Sequence, residues 1–172
     1  MPKLIISADV HGSVSTWITL KNLTDKDSGL AIAGDLFDTK YGSYGNPDYS
    51  PEHIRDELTR FSPPFFYVYG NCDTESFFPG ADHRIEFTFN AVNILMHHGH
   101  RPMPSIPDHI HLIIEGHTHL PSLEKRDGVI FFNPGSLTAS RSGLFTYGIM
   151  TDSKIALIDI RSNTELGSAD LF

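Results

Sequence analysis

The sequence predicts an α/β fold, a sandwich around a pair of mixed sheets. Two features carry that expectation. Six short apolar runs each break off into a cluster of Asp, Asn, His and Gly, and the early runs alternate with segments of helical spacing while the later part is richer in strands. With 40% hydrophobic and 20% charged residues over 172 positions, the chain has enough apolar material for one sizeable core. One domain over residues 1–172, with no separate lid domain, is therefore expected.

The first run, Leu4-Ile5-Ile6, leads to Asp9-Val10-His11-Gly12. Val14, Trp17, Leu20 and Leu23 then recur at a spacing of three, which marks a first helix. A second run, Leu30-Ala31-Ile32-Ala33, reaches Gly34-Asp35-Leu36-Phe37-Asp38. Ile54, Leu58 and Phe61 mark a second helix, and Ser50-Pro51-Glu52 gives it an N-cap, a first-turn proline and an acid near its positive end. Residues 65–69 then run into Gly70-Asn71-Cys72-Asp73, completing a βαβαβ order.

Residues 85–89 alternate as a strand, and Asn90-Ala91 is placed to turn the chain. Residues 92–96 lead to His97-His98-Gly99-His100, Leu112-Ile113-Ile114 to Glu115-Gly116-His117-Thr118-His119, and 129–132 to Asn133-Pro134-Gly135-Ser136. Residues 155–160 read as a terminal strand. Strand order stays open at this level. In open α/β sheets, ligands bind beyond the carboxyl ends of strands, so the six clusters are expected to share one edge.

A net charge of −8 argues against an extended nucleic-acid surface or an anionic-membrane surface, both of which need many Lys and Arg. A small phosphorylated substrate is compatible with it, because bound cations reverse the local field. Cys72 has no second cysteine to pair with, which fits a reducing compartment. The opening MPKLIISADVHG has too short an apolar stretch for a signal peptide, and no run approaches the ~20 residues of a membrane span, so a soluble cytoplasmic protein is expected.

The clusters offer the oxygen and nitrogen donors that divalent transition metals prefer. Asp-x-His and His-x-His suit a shared ion because residues two apart in an extended segment point the same way. Each is a weak signal alone, since Asp is common in turns and His is commonly a satisfied polar group. The ordered set says more. Asp9-Val10-His11, Gly34-Asp35-Leu36-Phe37-Asp38, Gly70-Asn71-Cys72-Asp73, His98-Gly99-His100 and Gly116-His117-Thr118-His119 resemble the successive blocks of the calcineurin-like metallophosphoesterase superfamily. With Cys72 where many members have His, a short chain and Asn133-Pro134-Gly135-Ser136, it is most similar to the small bacterial and archaeal phosphodiesterases of that superfamily, the YfcE type.

That resemblance implies a metallophosphoesterase-type αββα sandwich, two mixed β-sheets flanked by helices. It implies that Asp9, His11 and His119 hold one divalent ion, that Asn71, His98 and His117 hold another, and that Asp35 bridges them. A bridging carboxylate offsets repulsion between cations ~3.5–4 Å apart. Mn2+ is the expected metal, and Fe2+, Zn2+ and Ni2+ accept similar donors. The implied reaction is hydrolysis of small phosphodiesters by a metal-activated water or hydroxide, and a homodimer or homotetramer is compatible with the resemblance.

Asp35, Asn71 and His98 are the expected catalytic positions, with His100 as a candidate proton donor in place of the missing His at Cys72. Asp38 and Asp73 are expected to orient a ligand His and Asn71. Arg101 and Arg141 are candidate phosphate contacts or plain surface charges, Asn133 and Ser136 candidate site liners or plain turn residues, and 41–47 a candidate rim or plain loop. His53, His83, His109 and His111 are expected at the surface or as caps. His97 should face away from its neighbour His98. A cysteine phosphatase would need an Arg where Phe78 stands, and no Walker loop or His-Glu-x-x-His helix occurs. The rivals are a non-enzymatic interaction scaffold on the same fold, a phosphomonoesterase and a polymer nuclease, the last disfavoured by the excess of acids.

Overall fold

The computed structural model describes residues 2–42, 45–103 and 105–172. Strand β1 (Leu4–Ser7), helix α1 (Val14–Leu23), strand β2 (Gly29–Ile32), helix α2 (Pro51–Leu58) and strand β3 (Phe65–Tyr67) follow in the expected order. They are succeeded by β4 (Arg84–Phe89), β5 (Val92–His97), β6 (Leu112–Ile114), β7 (Pro121–Arg126), β8 (Val129–Pro134), β9 (Thr146–Met150), β10 (Lys154–Asp159) and β11 (Thr164–Asp170). A six-stranded sheet has the order β11-β10-β9-β1-β2-β3, and a five-stranded sheet the order β4-β5-β6-β8-β7. Both are mixed: β1, β2 and β3 run parallel, as do β5, β6 and β8, while β9 and β10 in one sheet and β4 and β7 in the other pair antiparallel.

The early runs are apolar throughout because both faces of their strands are covered. Leu4, Ile6, Ala31 and Met150 meet Ile94, Met96, Leu112, Ile114, Ile130 and Phe132 between the sheets. Ile5, Leu30 and Ile32 point outward, beneath Trp17 and Leu20 of α1 and Ile54 of α2. Each such side chain, fully buried, contributes ~1.5–3 kcal/mol. Alternate residues of one strand thus hold the sheets together and seat the helices.

The expected sandwich of two mixed sheets is present, and its two outer faces are covered differently. Both α1 and α2 lie on the six-stranded sheet. Over the other sheet, Leu95 and Ile113 are covered by Met103, Ile106 and Ile110, which stand in no helix. Pro102, Pro104 and Pro107 account for this, since prolines at that density remove amide donors and obstruct a helix.

The helix starts differ in detail. Ser13 caps α1 by accepting from the Thr16 amide at 3.3 Å, and Asp48 adds contacts to the Ser13 hydroxyl and the Ser15 amide. Ser50 occupies the N-cap of α2 with Pro51 behind it, but its side chain makes no capping bond. Asn90 and Ala91 both take positive φ in the two-residue turn between β4 and β5, as a type I′ hairpin requires.

Three strands were not expected, and β10 is not terminal. β11 pairs beyond it and forms the sheet edge. Thr164–Asp170 is largely exposed and Pro121–Arg126 is exposed at every second residue or more, so neither carries a continuous apolar run. β9 is interrupted by Gly148, which sits against the Phe132 ring.

Candidate metal centre

The carboxyl ends of β1, β2, β3, β5, β6 and β8 do bring their loops to one edge. Backbone bonds splice these loops together: Asp9 N donates to Gly34 O, His11 N to Asp35 O, and Gly116 N to His98 O. Extended geometry is not what aims the side chains. Asp9, His11, Asp35, Asp38, His117 and His119 all have φ between 50° and 71°. The Asp-x-His and His-x-His pairs therefore converge through left-handed turns, a correction to the strand-alternation argument. Such residues cost on the order of 1–3 kcal/mol each, and strain of this kind concentrates at functional sites.

Among the described residues, ligand atoms of Asp9, His11 and His119 lie within 4.8 Å of one another, and so do those of Asp9, Asp35 and His98. Asp9 belongs to both groups. His98 Nε2 stands 3.2 Å from Asp35 Oδ2 and 3.1 Å from Asn71 Oδ1. His117 is exposed on the rim, its amide donating to Asp9 Oδ2 at 3.0 Å and its ring centroid 5.2 Å from that of His98.

The donor chemistry fits divalent ions. His98 Nδ1 donates to Ala33 O at 2.7 Å and His119 Nδ1 to Ala139 O at 2.6 Å. His11 Nδ1 lies 3.1 Å from Asp38 Oδ2. Acceptors behind all three rings favour the proton on Nδ1 and turn an Nε2 lone pair inward, the usual arrangement of a metal-binding imidazole. The inward atoms surround Asp9 Oδ1, a buried oxygen without a well-aligned hydrogen bond, with His119, His11 and His98 Nε2 at 3.3, 3.9 and 3.9 Å.

The electrostatics agree. Burial disfavours charge on His98, but the hydrogen bond and charge of Asp35, with Asp9 behind, push its pKa up to about 9. Burial resists ionisation of Asp35, yet the His98 hydrogen bond and charge hold it at about 2. Both shifts mean that this space favours positive charge.

Glycines permit the approach at two positions. A side chain at Gly34, where φ is 87°, would overlap the His98 ring, and one at Gly70 would overlap Asp35. Cys72 N donates to Asp35 Oδ1 at 2.8 Å, while burial and the Asp35 charge push its thiol well above the ordinary range, so it stays protonated. Asp38 orients His11 as expected. Asp73 does not contact the Asn71 side chain: it accepts from the Phe37, Asp38 and Gly70 amides and from the Tyr67 hydroxyl.

A cavity of about 300 Å3 opens over this cluster, lined by His11, Asp35, Asn71, Cys72, His117 and His119, with Asn46, Thr138, Ala139 and Arg141 on one flank. Asn46 falls in the candidate rim, of which Ser43 and Tyr44 lie outside the described residues. Asn133 and Ser136 are buried beneath the site and do not line it. Asn133 donates to Gly116 O, and Ser136 donates to Asp9 O while accepting from the Thr138 and Ala139 amides. Thr138 and Ala139 line it without having been singled out in the sequence, because an isolated Thr or Ala carries no motif.

His100 stands beside the cavity, its ring 5.2 Å from that of His98. Burial and the His98 charge push its pKa down to about 4, so it is neutral near pH 7. Arg101 contacts His83, which also meets Glu75, and His109 and His111 bond locally to Glu86 and the Asn93 amide. His53 is exposed. His97 points to the opposite sheet face, with Nε2 3.8 Å from Glu115.

A strand-end cluster of this kind, on paired mixed sheets, defines a class: the calcineurin-like phosphoesterase superfamily domain matches residues 2–154, and the chain belongs to that family. Phosphoesterase is therefore its enzyme class, divalent metal ions are the cofactors that the family implies, and the resemblance read from the motifs holds. More particularly, the chain is similar to Phosphodiesterase YfcE of Escherichia coli (strain K12), at 25% identity over 176 residues covering 95% of each protein. The solved structure of that E. coli phosphoesterase superposes with a TM-score of 0.81 at 24% identity, covering 99% of this chain and all of the other. Vps29 from Entamoeba histolytica complexed with zinc shares the fold, with a TM-score of 0.64 at 17% identity and 99% of each chain covered. Among the described residues, no helix is long and apolar enough to cross a membrane.

Proposed function

We propose that the chain is a dinuclear-metal phosphodiesterase acting on small phosphodiesters. The observation that carries this is the convergence of His11, His98 and His119 Nε2 on Asp9 Oδ1, with each ring held from behind by an acceptor. In this reading Asp9, His11 and His119 would hold one ion and Asn71, His98 and His117 the other, with Asp35 as the ligand that both would share. When bound, the two ions supply Lewis acidity to the phosphoryl oxygens and make a water nucleophile available near neutral pH.

The chain's own groups set the rest. Asp38 fixes the His11 ring, and the carbonyls of Ala33 and Ala139 fix His98 and His119. Asn71 adds a neutral donor, keeping net positive charge for a phosphate. Among the described residues the Cys72 thiol holds its proton tightly and His100 is neutral, so neither protonates a departing oxygen efficiently. Diesters with leaving groups of low pKa therefore suit the site. Its volume of about 300 Å3 lies at the small end of the ~300–1,000 Å3 range of ligand pockets, which favours small substrates over polymers.

Mn2+ is the first metal to try, then Fe2+, Zn2+ and Ni2+. A single domain over 1–172, a cytoplasmic setting and an assembly of two or four chains belong to the same reading. The Vps29 likeness supports one competing reading, a scaffold that binds proteins without hydrolysis. Purified protein with Mn2+ should hydrolyse bis-p-nitrophenyl phosphate and lose that activity on chelation or in Asp35→Asn, with the fold retained. A scaffold would give no turnover with any of the four metals.

A further inference from the structure

We infer that Arg141 sets specificity at this site, selecting small phosphodiesters that carry a second negative group, a carboxylate or a phosphate, a few bonds from the phosphorus under attack. The inference rests on the phosphodiesterase reading above and narrows its substrate class. Its basis is the cavity wall beside the proposed ligands. On the flank of His11 and His119 the wall continues through Asn46, Thr138, Ala139 and Arg141. A part of the substrate that is not attacked can lie along this flank and meet Arg141.

Arg141 is tied to this flank. Its amide donates to His119 O at 3.3 Å, and two residues earlier Ala139 O accepts from His119 Nδ1 at 2.6 Å. Ser140 Oγ donates to Leu144 O at 2.6 Å and folds the segment onto itself. The segment bearing the guanidinium thus moves with a proposed ligand rather than as a free loop.

The guanidinium is also unanswered. Among the described residues Arg84 pairs with Glu86, Arg126 with Glu124, and Arg101 contacts His83. Arg141 forms no ion pair and no side-chain hydrogen bond there, although the sequence has an excess of acids. A planar guanidinium is well matched to carboxylate and phosphate oxygens, which it binds two at a time. Among the described residues no Phe, Tyr or Trp lines the cavity, whereas Arg141 offers an anion a donor.

The small volume sets the spacing. In a cavity of about 300 Å3, an anion that reaches Arg141 belongs to a group attached close to the reacting phosphate. The class is thus a diester of a short hydroxy acid or of a phosphorylated alcohol, not one end of a long chain.

The test uses matched probes. With the Mn2+-loaded protein, 2-carboxyethyl p-nitrophenyl phosphate is compared with propyl p-nitrophenyl phosphate, and calorimetry compares the non-hydrolysable 2-carboxyethylphosphonate with propylphosphonate. The carboxylated member should be favoured roughly tenfold in KM and in Kd, as expected for a charged hydrogen bond. Arg141→Gln should bring both ratios to about one, and Arg141→Lys should restore part of each. Equal handling of the pair by the wild-type protein, or a preference that survives Arg141→Gln, overturns the inference. Absence of turnover of both esters overturns the phosphodiesterase reading instead, and the phosphonate pair still decides whether Arg141 binds the anion.

Discussion

Asp38 Oδ2 lies 3.1 Å from His11 Nδ1, on the side of the ring away from the cavity. The contact holds the imidazole in the tautomer that presents Nε2 inward. Asp38 is fully buried and fixed in turn, its amide donating to Asp73 and its carbonyl accepting from the Tyr49 hydroxyl. Asp38→Ala should weaken binding of the His11-held ion by ~10–100-fold, as for other partners that orient metal ligands. Asp38→Asn should lose less, since an amide oxygen still accepts. Calorimetric titration with Mn2+ reads both; unchanged affinity in the alanine variant would detach Asp38 from the site.

Asp73 binds the βα loops to one another rather than to the cavity. Its two oxygens take the amides of Phe37, Asp38 and Gly70 and the hydroxyl of Tyr67. Asp73→Ala strands these buried donors and should lower unfolding free energy by at least ~3 kcal/mol, whereas Tyr67→Phe should cost only ~1 kcal/mol. Urea denaturation of the two variants measures the difference. Equal effects would mean that the amides find other partners.

Acid should loosen the start of α1 through Asp48. Burial pushes its pKa up, but hydrogen bonds from Ser15, and then from Ser13, together bring it below the ordinary 3.8. A carboxyl lowered by folding stabilises the fold above its unfolded value and loses that contribution as pH falls through the folded one. Stability of the wild-type protein should therefore drop as pH falls below about 4 more steeply than that of Asp48→Asn. Chemical denaturation between pH 3 and 7 supplies the curves, and parallel curves would remove Asp48 from the account.

The elements legible in the sequence were those whose burial is simple. Leu4–Ser7, Gly29–Ile32 and Leu112–Ile114 are buried throughout and read as apolar runs, and Val92–His97 departs from this only at half-buried Asn93 and the terminal His97. β7 and β11 lie at sheet edges in contact with solvent, where hydrogen bonding to one neighbour defines the strand and apolar content does not. The candidate ligands were legible because Asp, Asn and His recur at strand ends. What directs them was not, since left-handed Asp9, His11, His117 and His119 leave no periodic trace. Ser136 and Asn133, open in the sequence between site liners and turn residues, are struts, because a hydroxyl or amide buried beneath a loop has the same letter as one in water.

The number of metal ions held per chain decides whether the centre is dinuclear. Protein dialysed against Mn2+ and then freed of unbound ion should retain two ions per chain by elemental analysis, with Asp35→Asn retaining one or none while circular dichroism stays unchanged. Retention of no ion by the wild-type chain, or two ions held equally well by Asp35→Asn, would contradict the dinuclear centre.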